Sequence, residues 1–284
     1  MIEGLGTTLI VGFDSAWTAA NSGAIVGALR VGDGRFLDLG PPLVVNFEEA
    51  ERVILDWMTA HAPSRVLVFL DQPTIVRNAA RKRPVEDIVS SPVGRRHGGM
   101  QPANTGRTEM FGPDAPVWPF LAEFGGPGDP MAPVTDRQVF ETYPVLAMIA
   151  LGWVLPDSRA TGRLPKYNPE RRKTYSDSDW RFVCDRTAGA FRRRGLTSIA
   201  EWIDAMSVAR PRKSDQDGLD ACVCLLVAMH LTAAGKGLMV GDLQTGYIVV
   251  PYEQKLRDEL DARCSTIRID SAEFVRAFRL IVSK

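Results

Sequence analysis

The chain has 284 residues and a formal net charge of zero, with 45% apolar and 24% charged residues. This composition supports a substantial core and is typical of a soluble globular protein. The longest apolar run, 221–234, is shorter than a bilayer span and contains His230 and Thr232, so no membrane association is expected. The length predicts one large domain that carries sizeable insertions.

The cysteines and histidines indicate a reduced, cytoplasmic protein. The four cysteines form no CxxC pair, and three histidines are too few for a structural zinc cluster. The first residues lack the basic and then apolar pattern of a secretory signal. We therefore expect a cytoplasmic location, and the sequence leaves the oligomeric state open.

The first seventy residues predict three strands, a helix and a fourth strand. An Asp-Gly turn at 33–34 joins two apolar runs, which is typical of a hairpin. Asn46 is the candidate N-cap of the helix. The predicted strands are 7–14, 24–31, 35–39 and 65–71, and the predicted helix is 47–60.

Two insertions interrupt the later part of the chain. Residues 84–133 are rich in Gly and Pro and predict a long loop, which four aromatic residues would anchor by packing: Phe111, Trp118, Phe120 and Phe124. Residues 156–215 are basic and predict a partly helical insertion with helices at 178–194 and 198–206. The other predicted elements are a strand at 138–142, a helix at 144–151, a helix at 217–234, a strand at 246–251 and an amphipathic C-terminal tail.

Positive charge is concentrated in two segments. Residues 77–107 carry seven Arg or Lys against two acids, and residues 159–213 carry fourteen against six. Such segments attract anionic partners, although a patchy, solvated surface explains each of them equally well.

Carboxylates follow the apolar strands at the points where these strands end. Asp14, Asp71 and Glu141 each close an apolar run, and Asp217 and Asp220 open an apolar helix. If the first and fourth strands lie side by side in parallel, Asp14 and Asp71 emerge at the edge where open α/β sheets bind ligands. Residues three apart share one face of a helix, so Asp217 and Asp220 would face that edge together.

Four convergent carboxylates would repel one another unless a cation lies between them. Oxygen ligands without histidine favour Mg²⁺ or Mn²⁺. Two such ions about 3.5–4 Å apart stabilise the attacking and leaving oxygens of a phosphoryl displacement. The pattern therefore favours phosphodiester chemistry.

The chain resembles the RNase H-like superfamily, and within it an uncharacterised family described as predicted RNase H-like nucleases. The acid spacing is similar to that of Holliday-junction resolvases. The resemblance covers most of the chain and depends on motifs that occur in the family's order: GFDSAW at 12–17, FLDQP at 69–73, RNAAR at 77–81, FETYP at 140–144, KYNPERRKTY at 166–175, DGLDACVCLLVA at 217–228 and GYIVVP at 246–251.

The resemblance implies an α/β fold with an RNase H-like mixed five-stranded sheet, made of a three-stranded antiparallel meander plus parallel strands and flanked by helices. It implies a metal-dependent nuclease that acts on nucleic acid with Mg²⁺ or Mn²⁺. The metal ligands would be Asp14, Asp71, Asp217 and Asp220, with Glu141 as a further catalytic residue. The substrate-binding candidates are Arg77, Arg81, Lys166, Arg171, Arg172 and, for base stacking, Trp17.

Each candidate also has a purely structural interpretation. Asp14 could cap a turn, Asp71 could cap a following helix, and Asp217 could be an N-cap while Asp220 alone binds metal. Glu141 could instead hold Lys166. The basic residues could form a solvated surface, and most of the tryptophans are expected in the core.

Two other functions remain open. An actin-like phosphotransferase uses a similar sheet, but it needs glycine-rich phosphate loops and a duplicated domain, and neither is evident in the sequence. A non-catalytic module that binds nucleic acid or protein would use the same acids structurally.

Overall fold

Strand β1 (Thr8–Asp14) lies at the centre of the main sheet, and all seven of its residues are buried. In the computed structural model, which describes residues 6–15, 17–97, 100–158 and 161–282 without the side chains of residues 95–97, β1 pairs with strands on both sides. It is antiparallel to β2 (Gly23–Arg30) and parallel to β5 (Arg65–Leu70), which is in turn parallel to β6 (Arg137–Glu141). The predicted parallel neighbour of the first strand is confirmed.

The main sheet is mixed and has six strands, one more than the sequence predicted. Its order is β3-β2-β1-β5-β6, and β4 also pairs with β2. Strands β3 (Phe36–Asp38) and β4 (Leu43–Val45) each contain three residues. Two of the three apolar residues of β4 are exposed, and three residues are too few to show the period of a strand.

Alternating residues of the central strands pack against two different helical layers, as the period of a strand requires. Leu9, Val11 and Phe13 face a layer that includes α1 (Phe47–His61) and α4 (Val117–Glu123). The opposite face of β1 packs on α8 (Lys213–Thr232), a helix that is buried over most of its length. Asn46 caps α1 through its side chain, as predicted.

A second sheet, which the sequence did not predict, lies near the C-terminus. Strand β7 (Lys236–Asp242) pairs antiparallel with both β8 (Gly246–Pro251) and β9 (Val275–Arg279). Strand β8 corresponds to the predicted strand at 246–251. The amphipathic tail forms α9 (Gln254–Ile267) and α10 (Ser271–Phe274).

The Gly/Pro-rich insertion is partly helical, so the prediction of a long loop is wrong in part. It contains α2 (Pro84–His97), α3 (Thr108–Phe111) and α4. Pro92 lies inside α2, and a proline at this position argues against a helix when only the sequence is considered. Contacts of α2 with α9 and β7 stabilise the helix nevertheless. The anchoring role of the aromatics is confirmed, because Phe111, Phe120 and Phe124 are buried and Trp118 is half-buried.

The helices predicted in the basic insertion are present. They are α6 (Asp177–Arg192) and α7 (Thr197–Ser207), and α5 (Pro144–Ala150) matches the predicted short helix. Helix α8 begins at Lys213, four residues earlier than predicted, because the Asp215 carboxylate accepts a hydrogen bond from the Arg212 N–H (2.7 Å). Asp217 is therefore inside the helix and is not its N-cap. Among the described residues, no helix has the length and apolarity needed to cross a membrane.

Candidate functional site

The acids at the ends of β1 and β5 lie at the same edge of the main sheet. Phe13 is in register with Leu70 in the parallel pair, so Asp14 and Asp71 leave their strands side by side. A backbone hydrogen bond from the Asp71 N–H to the Phe13 carbonyl (2.8 Å) holds the two strand ends together. No helix follows Asp71 directly, because residues 71–83 are irregular, so this aspartate is not a helix cap.

The approach of α8 to β1 brings the third and fourth aspartates to this edge. A Cβ added at Gly12 would lie 2.2 Å from the Ala221 carbonyl oxygen and 2.5 Å from the Leu225 nitrogen. Only glycine permits this contact between strand and helix backbones. Alternation along β1 places Asp14 on the same face as Gly12, towards α8. Asp14 consequently meets the helix turn that carries Asp217 and Asp220.

Side chains around α8 bind these carboxylates individually. The Tyr167 hydroxyl donates a hydrogen bond to Asp220 Oδ1 (2.7 Å), and the Gln216 side-chain amide donates to Asp220 Oδ2 (2.6 Å). The Lys213 ammonium forms an ion pair with Asp217. Asp14, Asp217 and Asp220 are only 5–7% exposed. These three carboxylates are therefore buried, whereas Asp71 is half-buried, and the hydrogen bonds to Asp217 and Asp220 come from the first turns of α8 and from Tyr167.

Burial and mutual repulsion shift the pKa values of the aspartates upward. Burial raises the pKa of Asp14, and the carboxylates of Asp71, Asp220 and Asp217 raise it further, while Lys213 opposes them. The pKa of Asp71 rises for the same reasons, first burial and then repulsion from Asp220. Burial also raises the pKa of Asp220 to about 6, although the hydrogen bond from Tyr167 lowers it.

Asp217 and Lys213 complete the electrostatics of the cluster. Burial raises the pKa of Asp217, against the hydrogen bond from Lys213 and one shared with Asp14. Burial lowers the pKa of Lys213, but attraction to Asp14, Asp217 and Asp220 outweighs burial and leaves it above its usual value. These four aspartates thus share one electrostatic environment, as the sequence predicted.

Two adjoining cavities open beside the cluster. The first, of about 430 Å³, is lined by Asp14, Asp71 and Asp220 together with polar and aromatic residues that include Tyr143. The second, of about 420 Å³, is lined by Asp14 and Asp217. Both volumes are in the range of small-molecule sites. Five residues line both cavities: Asp14, Trp17, Gln101, Glu170 and Lys213.

Glu141 reaches the first cavity but is engaged in a buried ion pair with Arg83. Arg83 donates to Glu141 Oε1 (2.6 Å) and Oε2 (2.9 Å) and to Glu86 Oε1 (2.8 Å). All three side chains are almost fully buried. The fold thus supplies Arg83 as the partner of Glu141, where the sequence had offered Lys166 as one possibility. Glu141 nevertheless lines the first cavity, and its role as a catalytic residue stays a prediction.

The predicted substrate-binding residues separate into two groups. Trp17 and Arg171 line the first cavity. Trp17 has a positive φ of 62°, which is unusual for a bulky residue and is typical of functional sites. Arg77, Arg81 and Arg172 are exposed and lie outside the described lining of both cavities. Lys166 is half-buried and also lies outside that lining, and its backbone N–H donates to Asp179 (2.7 Å).

The sequence interpretation missed several residues of the site, notably Lys213, Gln72, Gln216 and Tyr167. Lys213 had a recognisable signal, because it precedes Asp217 by four residues and so lies on the same helix face. Tyr167 belongs to the 166–175 motif, but nothing in its spacing relates it to Asp220. Only the folded chain brings these two residues together.

The described residues contain no group of three or more His, Cys, Asp or Glu side chains arranged to hold a metal ion. The aspartates share an environment, but Lys213, Tyr167 and Gln216 engage two of them. Fold and site together define an α/β protein with an acidic, oxygen-only cluster at the carboxyl ends of its parallel strands.

Comparison with known families places the chain more specifically. A family model described as "Protein of unknown function (DUF429)" matches residues 12–245. The chain belongs to this family. Comparisons with curated proteins and with solved structures gave no match.

Proposed function

We propose that this protein is a divalent-metal-dependent hydrolase that cleaves phosphodiester bonds in nucleic acid, and that its main sheet is an RNase H-like sheet. The observation that carries the proposal is the convergence of Asp14, Asp71, Asp217 and Asp220 from two parallel strands and one helix beside a cavity. A mixed sheet with an antiparallel run and two parallel strands supports the fold assignment.

The donor set fits a hard divalent cation. The aspartates offer carboxylate oxygens, which are the ligands such a cation prefers, and the Glu170 carboxylate lines both cavities beside them. Among the described residues, the buried Gln216 Oε1 has no hydrogen-bond partner, and Gln216 lines the first cavity. Asp14, Asp71, Asp217 and Asp220 would hold the ion. Mg²⁺ or Mn²⁺ bound there would supply positive charge to the phosphate during its displacement.

The chain's own residues would bind and orient the substrate. Arg171 lines the first cavity and presents a guanidinium group suited to phosphate. The indole of Trp17, half-buried between the two cavities, offers a face on which a nucleobase can stack. The exposed Arg77, Arg81 and Arg172 would attract the backbone from outside. Substrate would thus be held by stacking and by positive charge around an acidic centre.

The experiment compares Asp14→Asn with the wild type on labelled single-stranded and duplex DNA and RNA in the presence of Mn²⁺. Asp33→Asn is the matched control, because Asp33 is an exposed turn residue paired with Arg35. We expect the Asp14 variant to lose at least about a hundredfold in cleavage, since even residues that only support metal ligands have effects of this size. If Asp14→Asn cleaves nucleic acid as fast as the wild type does, the proposed site is refuted.

The ion pair of Lys213 with Asp217 favours one alternative, a binding module whose acids are structural. Calorimetry with Mn²⁺ distinguishes the two functions. No heat of binding at millimolar Mn²⁺, together with no cleavage by the wild type, would favour the module.

A further inference from the structure

We propose that Lys213 is a positioning residue whose ammonium group acts as a resident cation in the aspartate cluster, and that a divalent metal ion displaces it into the substrate cavity. This inference rests on the proposed function, because it concerns how the metal enters the site. It assigns a role to a residue outside the four aspartates.

The contacts of Lys213 place its charge inside the cluster. It lies at the start of α8, and its Nζ is paired with Asp217 one turn later. Asp14 and Asp220 also attract this ammonium, and Lys213 lines both cavities. The ammonium group lies where a metal ion shared by these acids would bind. The ammonium group and the metal ion therefore compete directly for the same carboxylates.

A single ammonium group leaves the cluster incompletely neutralised. Only one of the four aspartates, Asp217, is in direct contact with Lys213. The side chains of Gln72 and Gln216 are 1% and 8% exposed and line the first cavity. Within the described part of the chain, Gln216 Oε1, which can bind a cation, lacks a hydrogen-bond partner, and so does Gln72 Nε2, which can only donate. The unpaired Gln216 oxygen beside these under-neutralised acids is a group that a divalent cation can bind in addition to the carboxylates.

The Lys213 side chain can move into the first cavity when a metal ion displaces it. This side chain is 43% exposed, and its four-carbon stem is flexible. Because Lys213 and Arg171 both line the first cavity, a displaced ammonium group would join the guanidinium group there. Metal binding would thereby move one positive charge from a carboxylate to the place where a phosphate enters.

The test measures Mn²⁺ binding by calorimetry for the wild type, Lys213→Met and Lys213→Arg, with Lys255→Met as the control on the exposed face of α9. We expect Lys213→Met to bind Mn²⁺ at least about tenfold more tightly than the wild type, because the competing charge is gone. Lys213→Arg keeps the charge and should bind no more tightly than the wild type. Lys255→Met should be unchanged.

A crystal structure of the wild type soaked in Mn²⁺ gives a second readout that does not depend on how the variants fold. We expect an anomalous peak at the aspartates and a Lys213 Nζ that no longer contacts Asp217. Mn²⁺ bound with Lys213 still on Asp217, or unchanged affinity in Lys213→Met, would overturn the inference and leave the proposed function intact.

The remaining outcomes separate the two proposals further. Mn²⁺ binding by Lys213→Met but not by the wild type would overturn the inference, because no ion would then displace Lys213, and it would also overturn metal dependence of the wild type. Absence of binding in both proteins would overturn both proposals.

Discussion

Neutralising Asp220 should stabilise the metal-free protein, although Asp220 belongs to the candidate site. Its carboxylate is 5% exposed and lies among other acids. In Asp220→Asn the side-chain oxygen can still accept the hydrogen bond from Tyr167. The new amide can donate to Gln216 Oε1, which has no partner among the described residues, once the Gln216 amide rotates. The substitution therefore removes a charge without removing hydrogen bonds.

The size of the effect follows from the pKa of Asp220. Burial raises this pKa from 3.8 to about 6. Each pKa unit corresponds to about 1.4 kcal/mol, so the ionised carboxylate lowers the free energy of unfolding by up to about 3 kcal/mol at neutral pH. Removing the charge should raise Tm by roughly 5–10 °C for a chain of this size.

The sign of the pH dependence is specific. A carboxyl group whose folded-state pKa is raised destabilises the fold only where it is ionised. The advantage of Asp220→Asn should therefore be absent below about pH 4, grow between about pH 4 and 6, and remain constant above. Urea unfolding in EDTA at a series of pH values measures it directly.

Asp179→Asn is the control of opposite sign. Burial raises the pKa of Asp179, but the Arg163 guanidinium and the Lys166 N–H outweigh burial and hold it below its usual value. Asp179→Asn should therefore destabilise the protein at neutral pH, and the loss should shrink as the pH falls through the acidic range. If Asp220→Asn destabilises the metal-free protein at pH 7.5, or if its effect does not change with pH, the electrostatic reasoning is wrong.

Two further predictions concern the scaffold of the site. Arg83→Met leaves two buried carboxylates without a counter-charge and should lower the free energy of unfolding by about 3–5 kcal/mol. Arg35→Met removes one partner of an exposed ion pair and should change the free energy of unfolding by less than about 1 kcal/mol. Urea titration measures both variants, and equal losses of stability would contradict this prediction. Gly12→Ala forces β1 and α8 apart and should lower the free energy of unfolding by roughly 3 kcal/mol or more. Gly94→Ala adds a methyl group in open space and should be neutral or slightly stabilising. Thermal unfolding compares the two variants, and a Gly12→Ala protein as stable as the wild type would refute the close contact between β1 and α8.

The sequence predicted the elements whose patterns are local. Apolar runs identified β1, β5 and β6, and Asn46 marked the start of α1 correctly. Helix α2 was missed because Pro92 and neighbouring glycines oppose a helix locally, and contacts with distant elements override them. Strand β4 was missed because three residues are too few to show a period.

The candidate site shows the same division between local and distant information. That Asp14 and Asp71 lie together follows from the sequence, since each ends a buried strand and parallel strands end at one edge. The partner of Glu141 did not follow from the sequence. Arg83 is 58 residues away in the chain, and no spacing rule selects it over Lys166.

The sequence by itself determined which acids end the central strands, and hence which residues could form an acidic cluster. Only the tertiary structure decided how that cluster is neutralised. Its electrostatics depend on distances between residues far apart in the chain, such as Tyr167 and Asp220, 53 residues apart. They also depend on the glycine contact that sets α8 against β1 and brings Lys213 among the four aspartates.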